Sequence, residues 1–249
     1  MISKDLHTHT TYCDGKNTPE EMVLAAIDRG LRVIGISAHS YTGFDPSYCM
    51  QKEDAARYLA EVRYLRAAYY DRIRVLCGVE QDYYSEEPTD DFDYVIGSVH
   101  YLKCGGEYVP VDETPEILKT AAEQYFGGDI YALCEEYFRT AADVVSKTGC
   151  DIIGPFDLIS KFTERTDLID VNHPRYIAAW KAAADELLKS GAPFEINMGA
   201  MSRGYRTTPY PSAQMIDYIK AHGGELILSS DAHSADAVAY KFGEYENLI

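Results

Sequence analysis

The sequence predicts an α/β fold, a closed barrel of alternating strands and helices with a metal site at the C-terminal ends of the strands. Strand and helix patterns alternate seven times along the 249 residues. The strand segments are apolar almost throughout, as in a parallel sheet covered on both faces. Nearly every strand also delivers His, Asp, Glu or Asn at or just past its C-terminal end, and in a barrel those ends share one face. An open doubly wound sheet has the first two features as well. No Gly-rich phosphate loop follows the first strand, which argues against the nucleotide-binding versions of that fold.

The first strand is expected over Met1–Leu6, followed by His7 and His9. In extended chain residues two apart share a face, so both imidazoles can reach one ion. Asp14-Gly15 marks a turn. Thr18-Pro19-Glu20-Glu21 starts a helix as N-cap, N1 proline and capping-box glutamate, and Gly30 stops it. Strand two, 33–37, runs into His39. A helix over 52–70 leads to strand three, 74–79, which ends in Glu80, and strand four, 94–99, ends in His100. Residues 114–147 have a helical pattern broken at Gly127-Gly128. Strand five, 151–154, meets Pro155 and Asp157. A helix over 174–189 precedes strand six, 194–197, ending in Asn197. A polar loop holds Arg203 and Arg206, a helix starts near Ser212, and strand seven, 225–230, ends in Asp231 and His233.

Five of the seven histidines thus sit at strand ends; His173 and His222 flank helices and read as structural or surface residues. Imidazoles with carboxylates suit Zn, Fe or Mn, and more than four such donors imply two or three divalent ions. Water on such a cluster ionises near neutral pH, and paired ions stabilise phosphoryl transfer. Each residue alone has a plainer reading: His39 or His100 as a hydrogen-bonded core histidine, Glu80 as an exposed carboxylate, Asp14 as a turn residue, Asn197 as a loop anchor.

A net charge of −17 excludes a nucleic-acid backbone as an expected partner. No run of apolar residues is long enough to span a membrane. Six cysteines without a CxxC pair point to a reduced, cytoplasmic protein, and the apolar fraction of 46% supports one domain over 1–249, as a monomer or small homo-oligomer.

The motifs DLHTHTTYCDG, ISAHS, GVEQDY, GSVHY, GPFDLISKF, EINMGAMSRGY and SSDAH resemble, in order and across the chain, the PHP (polymerase and histidinol phosphatase) family in its histidinol-phosphatase branch. The resemblance implies a distorted (β/α)7 barrel with three metals. It assigns His7, His9, Glu80 and Asp231 to a first metal, with Glu80 bridging to a second that takes His100. Asp14, His39 and His233 go to a third. It also implies hydrolysis of a small phosphorylated substrate, L-histidinol phosphate, in histidine biosynthesis. Asp231, Arg203 and His233 are expected to act on the reacting group, Asp231 as a proton donor. Arg203, Arg206, Lys161 and Asn197 are expected to bind substrate, with Tyr101 and Tyr205 as pocket walls. Two departures stand out: Pro155 occupies the position of a family histidine ligand, and Ala38 that of an aspartate. Another phosphomonoester or nucleotide as substrate, or a binding protein without turnover, are the alternatives. A metal-dependent amidohydrolase is disfavoured because no lysine stands at a strand end.

Overall fold

The computed structural model describes residues 3–249. Strands β1 (Lys4–Asp5), β2 (Val33–His39), β3 (Arg74–Asp82) and β4 (Tyr94–Ser98) follow one another in a parallel sheet. A separate antiparallel hairpin, β5 (Tyr101–Cys104) and β6 (Glu107–Pro110), comes next. The sheet resumes with β7 (Ile152–Ile153), β8 (Phe194–Asn197) and β9 (Leu226–Ser229), giving seven parallel strands in chain order. First and last meet at a parallel bridge between Thr8 and Ala232: His9 N–H donates to the Ala232 carbonyl at 2.8 Å, and Ala232 N–H to that of His7 at 3.2 Å. The sheet is therefore a nearly closed, distorted barrel of seven strands, not an open sheet.

Helix α1 (Pro19–Asp28) carries the expected capping box on Thr18 and Glu21. Helix α2 (Ala55–Ala68) follows a 3-10 turn at 52–54. The 114–147 stretch is three helices, α3 (Pro115–Tyr125), α4 (Ile130–Ala142) and α5 (Val144–Thr148), parted near the two glycines. Helices α6 (Pro174–Leu188), α7 (Gly199–Ser202), α8 (Ala213–Ala221) and α9 (Phe242–Tyr245) complete the chain.

Three boundaries move in ways that matter. The regular part of the first strand is only Lys4–Asp5; the expected start at Met1 and Ile2 lies outside the described residues, and His7 and His9 lie past its end. Thr8 holds them extended, its carbonyl accepting from Ser37 N–H at 2.9 Å and its hydroxyl donating to the Gly35 carbonyl at 2.7 Å. Strands β2 and β3 run longer than expected, so His39 and Glu80 are in-sheet neighbours.

The lower barrel interior is apolar. Tyr94, Ile96 and Ile152 fill it with Leu6, Leu76 and Ile227 packed against them. The Tyr94 side chain stands over Gly35 and Gly78, where a Cβ would fall 2.0 Å from its hydroxyl and 2.2 Å from its ring. Outside the sheet, helix faces bury larger apolar clusters around Trp180, Tyr137 and Phe138, and around Met22, Tyr58 and Leu65. Among the described residues no helix is long and apolar enough to cross a membrane, and all six cysteines are free.

Candidate metal centre

Above this apolar layer, the strand ends bring eight of the expected residues together. His7 Nε2 lies 3.0 Å from Glu80 Oε2 and 3.7 Å from Asp231 Oδ1. His9 Nε2 lies 3.4 Å from the same Glu80 oxygen and 3.2 Å from Asp231 Oδ1. His39 reaches Glu80 Oε2 through Nδ1 at 2.9 Å and Asp14 through Nε2 at 3.7 Å. His233 Nε2 is 3.2 Å from Asp14 Oδ2, and His100 Nε2 is 3.5 Å from Glu80 Oε1. Three groups have donor atoms close enough to share an ion: His9, Asp14, His39 and His233; His7, His9 and Glu80; and His39, Glu80 and His100.

The residues fit divalent metal. His7 Nε2, His9 Nε2 and Glu80 Oε2 are sealed from solvent, face one another, and have no hydrogen-bond partner. Buried polar atoms left this way are costly, and an ion among them removes the cost. The electrostatics agree. Burial opposes charge on His7, yet Glu195, Glu80 and Asp231 together hold its pKa well above the usual imidazole value. Burial, with His233 and His39 beside it, lowers His9 to about 3. Burial opposes charge on Glu80 too, but His7, His39 and His100 hold its carboxyl well below the usual range. Glu80 is held as a carboxylate and His9 as a neutral imidazole, the forms that ligate a cation.

Three supporting residues went unread in the sequence. Glu195, fully buried, accepts from His7 Nδ1 at 2.9 and 3.0 Å, which fixes the tautomer so that the Nε2 lone pair faces the cluster. Asp82 stands 3.3 Å from His100 Nδ1 and does the same there. Ser98 Oγ donates to Glu80 Oε1 at 2.6 Å. The signal for Glu195 was a carboxylate inside the apolar run Phe194-Glu195-Ile196, which requires a buried partner. For Asp82 it was the two-residue alternation from Glu80.

A cavity of about 420 Å³ opens over the cluster, with Tyr48, Tyr101, Pro155, Leu158 and Tyr205 among its walls. Tyr101 and Tyr205 thus line it as expected. Lys161 and Arg203 also line it: Lys161 Nζ donates to Asp112 Oδ2 at 2.9 Å, and Arg203 donates to Asp231 Oδ2 at 3.2 Å with its NH1 2.6 Å from His233 Nδ1. Asp231 sits at φ 47, a left-handed conformation unfavourable for a residue with a side chain. Gly199 makes room for it; a Cβ there would fall 2.1 Å from Asp231 Oδ2.

Several expected residues face elsewhere. Asn197 is fully buried, donating to Glu195 Oε2 at 3.1 Å and accepting from Gly199 N–H at 2.9 Å. It supports Glu195 and the turn rather than touching the cavity. Arg206 is buried on a neighbouring cavity, its guanidinium donating to the Ser160 carbonyl at 3.2 Å and to the Thr208 carbonyl at 3.3 Å. Asp157 lines that second cavity as well, accepting from Ser160 Oγ at 3.0 Å. Burial opposes charge on Asp231, but Arg203 and His7 hold its carboxyl well below the usual range, which fits a ligand better than a proton donor. His173 caps α6, accepting from Arg175 N–H at 3.2 Å, and His222 lies 2.8 Å from the Tyr218 carbonyl at the end of α8. Both are structural.

The model of the PHP domain matches residues 5–199. The chain belongs to the PHP domain family. A histidinol-phosphatase of Bacillus subtilis is 25% identical, with 97% of each chain aligned. Among solved structures, a candidate histidinol phosphatase of Listeria monocytogenes superposes with a TM-score of 0.82 at 19% identity, over 98% of this chain and 100% of that one. A histidinol phosphate phosphatase of Lactococcus lactis, solved with Zn, L-histidinol and phosphate, gives 0.70 at 21% identity over 99% and 92%. The structural likenesses bear out the barrel, and the relative aligned along its whole length bears out the histidinol-phosphatase branch.

Proposed function

We propose that this protein is a metal-dependent phosphomonoesterase that hydrolyses L-histidinol phosphate to L-histidinol and phosphate. The observation that carries the reading is the convergence of His7, His9, His39, His100, His233, Asp14, Glu80 and Asp231 beneath one cavity that also presents Arg203 and Lys161. Membership of the histidinol-phosphatase branch supports the substrate. We read the metals as two or three ions of Zn, Fe or Mn, and the chain as one domain over 1–249, because β9 closes the sheet that β1 begins.

The residues divide the work. His7, His9, Glu80 and Asp231 form one ligand set, Asp14, His39 and His233 another, and Glu80 with His100 a third. The ions would supply an ionised water and neutralise phosphoryl oxygens. Glu195 and Asp82 hold the His7 and His100 rings at fixed orientation and tautomer. Arg203 lines the cavity with the planar donor fork that suits phosphate oxygens, and Lys161 adds a point charge there. Tyr48, Tyr101 and Tyr205 enclose the leaving group and limit water around it.

The test is kcat/KM across a panel of phosphomonoesters, with protein loaded with Mn, Fe or Zn. L-Histidinol phosphate should lead by a wide margin. Preference for a nucleotide or sugar phosphate would keep the chemistry and discard the substrate; phosphate binding without turnover on any ester would discard the enzyme reading.

A further inference from the structure

We infer that the ligand sets are unequal: two ions are resident, and the third, at Glu80 and His100, is held only when phosphate or a phosphate ester completes its coordination. The inference rests on the reading of this cluster as a metal centre and concerns how this chain fills it.

Donor atoms decide it. Glu80 Oε2 faces His7 Nε2 and His9 Nε2 at 3.0 and 3.4 Å, and Asp231 Oδ1 adds a fourth donor beside them, 3.2 Å from His9 Nε2 and 3.7 Å from His7 Nε2. Asp14, His39 and His233 give three around the neighbouring position, His233 Nε2 and His39 Nε2 lying 3.2 and 3.7 Å from Asp14. His39 stands in two of the donor groups; engaged with Asp14 and His233, it leaves Glu80 Oε1 and His100 Nε2, 3.5 Å apart, at the remaining position. Glu80 Oε1 already accepts from Ser98 Oγ at 2.6 Å, which draws on its basicity. Zn takes at least four ligands and harder ions about six, so two protein atoms leave most of the shell to others.

No further side chain makes up the deficit among the described residues. Pro155, which lines the same cavity, has no donor atom in its side chain, and its carbonyl accepts from the Tyr137 hydroxyl at 3.4 Å. Asp157, two residues on, lines the other cavity and accepts from Ser160 Oγ and Ser212 N–H. Asp112, the next carboxylate near His100, belongs to none of the three donor groups and is tied to Lys161 at 2.9 Å. The open side of the shell faces the cavity, where phosphate oxygens, good ligands for such ions, arrive.

The experiment counts metal. Protein loaded with Mn and passed through a desalting column is assayed by elemental analysis, with and without inorganic phosphate in the column buffer. Two ions per chain without phosphate and three with it are expected. Pro155→His should retain three without phosphate. If that variant does not fold, His100→Ala serves instead: two ions in both buffers. Three ions in the wild type without phosphate, or a count that phosphate does not raise, overturns the inference while leaving the metal centre intact. Retention of no ion in either buffer overturns the metal centre itself.

Discussion

The two halves of the barrel rim differ sharply. The ends of β1, β2, β3 and β9, with the loop that carries Asp14, provide seven of the eight candidate ligands. The ends of β4, β7 and β8 provide one, His100, and otherwise present Pro155, Asp157 and Asn197. The difference teaches that a polar residue at a strand end is not by itself a site residue. In the first half the donor atoms lie close together, and three of them, on His7, His9 and Glu80, are sealed from solvent without a hydrogen-bond partner. In the second, Asn197 is taken up by hydrogen bonds to Glu195 and Gly199, and Asp157, though its Oδ1 is also unpartnered, belongs to no donor group and lines the neighbouring cavity. Glu195 links the halves: it stands on β8 and serves His7.

Substitutions can break or sharpen that contrast. The largest effect is expected at Glu80, which faces His7, His9, His39 and His100. Glu80→Ala should cut kcat/KM by about 1000-fold or more, roughly 4 kcal/mol of transition-state stabilisation, and lower retained metal. Wild-type turnover in that variant would refute the role of the cluster. Next is Arg203→Ala, expected to cost about 100- to 1000-fold through lost charge stabilisation, with metal content unchanged. A third, Glu195→Gln, keeps the volume but changes the partner of His7 Nδ1; a loss of about 10- to 100-fold in metal affinity should show by competition with a chelator. If affinity is unchanged, β8 contributes nothing to the cluster.

The smallest effect on catalysis belongs to Arg206→Ala. Its guanidinium bonds the Ser160 and Thr208 carbonyls and lies on the neighbouring cavity, so kcat/KM should stay within about twofold once folded protein is compared. Stability should fall by about 2–3 kcal/mol, measured by denaturant unfolding, because buried acceptors lose their donor. A large loss of activity with stability intact would return Arg206 to the phosphate site.

Much of this was legible in the sequence because barrel topology turns position along a strand into position on one face. His7, His9, His39, Glu80, His100 and Asp231 needed only the alternation of strands and helices to be found together. The hairpin over 101–110 and the short helix α7 were not legible, since neither has a repeating apolar pattern long enough to announce itself. Arg203 and Arg206 looked alike as loop cations three residues apart. The turn that ends α7 sends one into the cavity over the cluster and the other into its neighbour, and no local pattern reports that. The role of Asp157 depends on a partner far along the chain, Ser212, and that of Asn197 on a local turn at Gly199, which only the folded arrangement reveals.

If phosphate ester hydrolysis occurs at this cluster, it requires metal there. The most direct measurement is phosphate release from L-histidinol phosphate by protein stripped with chelator and then titrated with Mn, bound ions being counted in parallel. Activity absent in stripped protein and rising with bound metal is the predicted result. Full turnover by the stripped protein would contradict the account.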